Sequence, residues 1–92
     1  MGETKEMQGS VRIPNKYGLH ARPAAEFVKL AAQFQCEVAV SKDELEVNGK
    51  SIMGMMMLAA ECGSAITIRA SGEDADDAVA KLVALVERGF GE

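Results

Sequence analysis

The chain lacks the raw material of several protein classes. It has two cysteines, Cys36 and Cys62. They are isolated and not spaced as a metal pair, which argues against a disulfide scaffold and against structural zinc. Both stand beside apolar residues and read as reduced, mostly buried thiols. There is one histidine, His20, so a histidine-rich metal centre is disfavoured and no cofactor is expected. Positive charge is short, with ten Lys+Arg against fourteen Asp+Glu and a net charge of −4. A phosphate-backbone binder should show the opposite surplus, so direct nucleic-acid binding is disfavoured. No apolar run approaches the roughly 20 residues that span a bilayer. The segment Met1-Gly2-Glu3-Thr4-Lys5-Glu6 is polar and holds no stretch of signal-peptide type. A cytoplasmic protein without membrane insertion is the expectation.

What is present suits one small folded unit. The 92 residues are 48% hydrophobic and 26% charged. A chain of this length buries roughly 60–65% of the surface its unfolded form exposes, enough for one modest core. Residues 1–92 read as a single domain, with residues 1–6 as a flexible N-terminal extension.

The hydrophobic periods alternate along the chain. Val11 and Ile13 share a parity within a strand over Met7 to Pro14. Asn15-Lys16-Tyr17-Gly18 is a polar turn. Ala24, Phe27, Val28, Ala31 and Phe34 form one face of a helix over Ala21 to Phe34, with Pro23 in its first turn. Cys36, Val38 and Val40 mark a second strand, and Lys42-Asp43-Glu44 a hairpin loop. Leu45 and Val47 mark the return strand. Ser51 is a plausible N-cap of a short apolar segment, Ile52 to Ala60, before Gly63. Ile66, Ile68 and Ala70 mark a fourth strand, with Ser71-Gly72 a turn. Ala78, Leu82 and Leu85, widened by Val79, Val83 and Val86, line a last helix from Asp74 to Arg88. Glu73, Asp74, Asp76 and Asp77 suit its positive end, and Gly89 stops it.

The order is β-α-β-β-α-β-α. One apolar parity per strand implies a sheet with one covered and one wet face. The expected architecture is α+β, an open-faced β-sandwich: a four-stranded antiparallel sheet with three helices on one face.

Chemistry concentrates at the start of the first long helix. His20 falls at or beside its N-cap. A helix N-terminus offers unpaired N–H groups and about half a positive charge, which suits an anion. That end favours a neutral, nucleophilic imidazole, which attacks phosphorus without a separate base. Arg22, two residues on, carries a planar guanidinium able to grip a phosphoryl group with paired hydrogen bonds. Together they form a minimal apparatus for accepting a phosphoryl group and giving it up. The bland alternative is a surface histidine beside a capping turn.

Ser51 has a capping role as its default. A phosphate added there would be tolerated by the helix dipole and would change the surface charge by about −2. Met53, Met55, Met56 and Met57 then follow among Ile52 and Leu58. A short helix apolar on nearly every side either leaves a sticky patch exposed or fills core gaps, and both remain open.

Gly18-Leu19-His20-Ala21-Arg22-Pro23-Ala24-Ala25, followed about thirty residues on by Lys50-Ser51-Ile52-Met53-Gly54, resembles the HPr family. These are the histidine-containing phosphocarriers of the bacterial phosphoenolpyruvate-dependent sugar phosphotransferase system. The resemblance covers Met7 to Glu92 and the element order. It implies that His20 accepts a phosphoryl group on Nδ1 from phospho-enzyme I and passes it to IIA components of sugar permeases. Arg22 would assist the transfer. Ser51 would be the regulatory site of HPr kinase/phosphorylase, linked to a catabolite-control regulator. Ala21, Ala25, Ile52, Met53 and Met56 would form the docking surface. Lys16, Lys29 and Lys50 are candidates for local positive charge. The carrier is not an enzyme in its own right and is most simply a monomer.

Three hypotheses follow: a sugar-system carrier with serine regulation, a carrier of a nitrogen-branch or other regulatory phosphorelay, and a non-phosphorylated binding module using the methionine patch. A phosphatase-like enzyme is a distant fourth, because no second polar cluster supplies a water-positioning group. A histidine-lacking regulatory paralogue is set aside because His20 is present.

Overall fold

Alternation on a two-residue period decides which way each strand faces. In a computed structural model describing residues 5–91, Val11, Val38, Val40, Ile66, Ile68 and Ala70 all point to one side of the sheet and are buried. Four strands build it: β1 (Glu6–Arg12), β2 (Glu37–Lys42), β3 (Leu45–Asn48) and β4 (Ala65–Ser71). Three α-helices are interleaved: α1 (Ala21–Ala31), α2 (Ile52–Met57) and α3 (Ala75–Glu87). A final 3-10 turn over Gly89–Gly91 buries Phe90.

The sheet order is β1-β4-β2-β3 with every pair antiparallel. Val11 lies opposite Ile66, and Val40 lies opposite both Ile68 and Val47. The same parity therefore faces the helices along all four strands. Gly9 allows α3 to lie close over β1, since a Cβ there would stand 3.1 Å from Val79 and 3.2 Å from Val83. Phe27, Met55 and Leu82 bring the three helices into one core with Ile66 and Ile68. No polar or charged residue is buried among the described residues. The opposite face is polar, with the Ser10 and Thr67 hydroxyls 3.2 Å apart and Arg69 paired with Glu46 at 2.8 Å.

The architecture is the expected open-faced sandwich, with shifted boundaries. Residue Glu6, assigned from sequence to a flexible extension, pairs with Ser71 in β1, and the Lys5 carbonyl accepts the Gly72 amide. Residues 1–4 of that extension lie outside the described residues. The first helix ends at Ala31 rather than Phe34, because Gln33 and Phe34 donate to Leu30 and Ala31 in tighter three-residue turns. The short helix ends at Met57 rather than Ala60, where Leu58 and Ala59 make the same kind of turn and Ala59 takes φ +50°.

The cysteines separate. Cys36 is buried, as expected, and burial pushes its thiol above the ordinary value, with the Asp74 carboxylate adding to the effect. Cys62 is exposed, contrary to the expectation. It sits in the turn after α2, where its Sγ lies 3.7 Å from the Pro14 carbonyl instead of facing the core.

Candidate functional site

A tight turn delivers His20 to the start of α1. The Gly18 amide donates to the Asn15 carbonyl at 3.1 Å, and Asn15 Nδ2 donates back to the Gly18 carbonyl at 2.6 Å. Gly18 takes φ +69°, a left-handed conformation that costs glycine nothing. A Cβ at Gly18 would stand only 2.5 Å from the Ala60 carbonyl oxygen. The Leu19 amide donates to that same carbonyl at 2.8 Å, and the Leu19 side chain is buried.

His20 then occupies the N-cap of α1 in extended geometry, φ −83° and ψ −170°. Its carbonyl accepts the Ala24 amide at 3.0 Å and so starts the helix. Its exposed side chain makes no capping hydrogen bond. The Tyr17 ring meets the imidazole edge-to-face, with centroids 6.4 Å apart and planes at 84°. Arg22 is exposed at the second position of α1. Pro23, without an N–H, is buried in the first turn, where that lack costs little. No acidic residue stands in this turn to oppose an anion. Ala24, Phe27 and Ala31 bury the opposite face and anchor the helix.

Ser51 caps α2 as expected. Its Oγ accepts the Gly54 amide at 3.0 Å, and its carbonyl accepts the Met55 amide at 2.9 Å. The methionines divide between the two open readings. Met55 is wholly buried, whereas Met53 is 73% and Met57 65% exposed. Ile52 and Met56 are also exposed, Ala21 is exposed and Ala25 half-buried. The residues expected in the docking surface thus lie on two helices packed against each other. Met57 was not among them, although it is equally available.

Of the three candidate lysines, only Lys16 adjoins His20 in the turn. Its ammonium sits 5.4 Å from the centroid of the Tyr17 ring. Lys29 is in the last turn of α1, roughly 13 Å along the axis from His20, and is 3.9 Å from Glu26. Lys50 donates to the Phe34 carbonyl at 2.7 Å, beyond the C-terminal end of α1. Tyr17 is legible in the sequence only as part of a polar turn. The available signal was the chain's one tyrosine standing directly before Gly18. Among the described residues no His/Cys/Asp/Glu group could hold a metal ion, and no helix is long and apolar enough to cross a membrane.

The comparisons with known proteins agree on the family. The family model described as the PTS HPr component phosphorylation site matches residues 7–88. Phosphocarrier protein HPr of Neisseria meningitidis is 46% identical over 86 residues, covering 94% of this chain and 97% of that protein. The HPr-like protein Crh of Bacillus subtilis is 47% identical over 81 residues, covering 88% and 95%. Whole-chain similarity therefore does not separate a phosphocarrier from an HPr-like relative. The crystal structure of HPr-C-His from Thermoanaerobacter tengcongensis superposes with a TM-score of 0.90 at 45% identity, covering 94% and 97%. The chain belongs to the HPr family, the phosphoryl carriers of the phosphotransferase system.

Proposed function

We propose that His20 Nδ1 accepts a phosphoryl group from phospho-enzyme I and passes it to IIA components of sugar permeases. The observation that carries this reading is the N-cap position of an exposed His20 whose side chain does not cap its own helix. In the first step the Nδ1 lone pair attacks phosphorus. The donor's bond to phosphorus breaks as the Nδ1–P bond forms, and its electron pair stays with the donor. The second step repeats this toward the IIA acceptor. No base is consumed and no net reaction occurs on the chain, as befits a carrier rather than an enzyme.

The helix start supports the charged intermediate. The amides of Ala21 and Arg22 precede the first intrahelical bond, and the helix end carries positive charge. Arg22 supplies planar paired donors for the phosphoryl oxygens. Ala21, Ala25, Ile52, Met53 and Met56 form the proposed docking surface. A patch this small suits partners that must leave quickly. The carrier acts as a monomer.

Ser51 is the proposed target of HPr kinase/phosphorylase, and its phosphorylated form a ligand for a catabolite-control regulator. Its Oγ already caps α2, and a phosphate oxygen there could take over the Gly54 amide. The added charge of about −2 would stand beside the docking methionines and weaken transfer through His20. The likeness to Crh, the Bacillus subtilis catabolite repression HPr, supports a second reading, in which regulation through Ser51 is the main output.

Intact-mass analysis after incubation with phosphoenolpyruvate and enzyme I tests the first reading. One acid-labile phosphoryl group, absent in His20→Ala, is expected. A folded chain that takes phosphate only from ATP and the kinase, at Ser51, would instead support the second reading.

A further inference from the structure

An aromatic residue in a solvent-exposed turn needs a reason, because exposure forgoes its hydrophobic contribution. Tyr17 is 74% exposed, the most exposed large apolar side chain among the described residues. It nevertheless has two ring contacts. Lys16 places its ammonium 5.4 Å from the ring centroid, within the range of cation–π attraction. The His20 imidazole meets the same ring edge-to-face at 6.4 Å, the geometry that aromatic quadrupoles prefer. Ammonium and imidazole thus both contact the phenol ring, in the turn closed by Asn15 and Gly18.

We propose that Tyr17 is a positioning residue for phosphoryl transfer, its ring setting the orientation of the His20 imidazole while Lys16 steadies the ring. The proposal rests on His20 being the phosphoryl acceptor. The Tyr17 ring lies against the imidazole and so contributes to its orientation. In-line attack needs Nδ1 aimed at phosphorus, and orientation of this kind is a recognised source of rate. The ring makes this contribution without touching the transferred group. Both contacts are made by the ring, so the ring alone should suffice. Lys16 acts on Tyr17 rather than on His20, so its removal should matter less.

The test compares wild-type, Tyr17→Phe, Tyr17→Leu, Tyr17→Ala and Lys16→Ala chains, with His20→Ala as the reference for the acceptor. Two readouts are taken: His20 ring-proton NMR shifts in the free protein, and kcat and KM for phosphorylation by enzyme I with phosphoenolpyruvate. Tyr17→Ala and Tyr17→Leu should move the His20 shifts and lower kcat roughly two- to tenfold, with KM little changed. Tyr17→Phe should restore both readouts, and Lys16→Ala should give a smaller change in the same direction. Unchanged His20 shifts, or a change confined to KM, would overturn the proposal and assign Tyr17 to partner docking. If the wild-type chain is not phosphorylated, or His20→Ala is, the acceptor assignment fails, and the positioning role fails with it. An active wild-type chain with an equally active Tyr17→Ala removes the positioning role alone.

Discussion

The amide of Leu19 donates to the carbonyl of Ala60 across 41 positions of sequence, at 2.8 Å. This bond ties the turn carrying His20 to the loop that follows α2, so both phosphorylation candidates belong to one framework. The approach is close enough that only glycine fits at the preceding position, where a Cβ would lie 2.5 Å from the same oxygen.

Gly18→Ala should therefore cost stability and disturb His20 together. A left-handed conformation for alanine costs about 1–3 kcal/mol, and the clash with backbone adds to this. Thermal unfolding should fall by roughly 10 °C for a loss of about 2 kcal/mol in a domain of this size. Phosphorylation by enzyme I, measured on the folded fraction, should slow. An unchanged melting temperature would mean that the turn relaxes freely.

Ser51→Ala removes the acceptor of the Gly54 amide and should destabilise the chain by about 1 kcal/mol in urea unfolding. Ser51→Asp retains a capping oxygen and should stay close to wild-type stability. It should still slow transfer through His20, because its charge adjoins exposed Ile52 and Met53. Normal transfer by Ser51→Asp would detach this position from the carrier surface.

Asp74 predicts an acid dependence of stability. Its carboxylate accepts the Gln35 amide at 2.8 Å and the Cys36 amide at 2.9 Å, joining the start of α3 to the loop before β2. Foremost the Gln35 bond, with help from Cys36, holds the carboxyl below the ordinary 3.8. A folded value below the unfolded one means the carboxylate contributes stability above pH 3.8, lost as pH falls through the folded value. Urea midpoints recorded against pH should fall in that acid range, and Asp74→Asn should be weaker at neutral pH with a shallower acid decline. Parallel curves for the two chains would contradict the assignment.

Local signals made much of the site legible in the sequence. Gly18 before His20 and Pro23 after it bracket a helix start from both sides, and Ser51 reads as a cap because a short polar residue precedes an apolar run. Strand parity settled which side of Val38, Val40, Ile66 and Ile68 is covered. Helix ends were less legible. Phe34 keeps the helical period because it is buried, while its backbone has already tightened into a turn. Ala59 takes a left-handed conformation with no glycine to announce it. Contacts distant in sequence left no mark at all, including Leu19 with Ala60 and Asp74 with Gln35. The exposure of Cys62 was likewise hidden, since its fate depends on where the turn before β4 points. The lysines show the same limit: proximity to a motif placed Lys50 near the phosphate, whereas its side chain reaches the Phe34 carbonyl instead.

The most direct test of the carrier account locates the phosphorus atom itself. The chain, labelled with nitrogen-15, is phosphorylated by phosphoenolpyruvate and enzyme I and observed by correlated phosphorus and nitrogen NMR. The account predicts a phosphorus signal coupled to Nδ1 of His20, which disappears when an IIA acceptor is added. Coupling to Nε2, or no phosphorus on His20 under conditions where enzyme I is active, would contradict it.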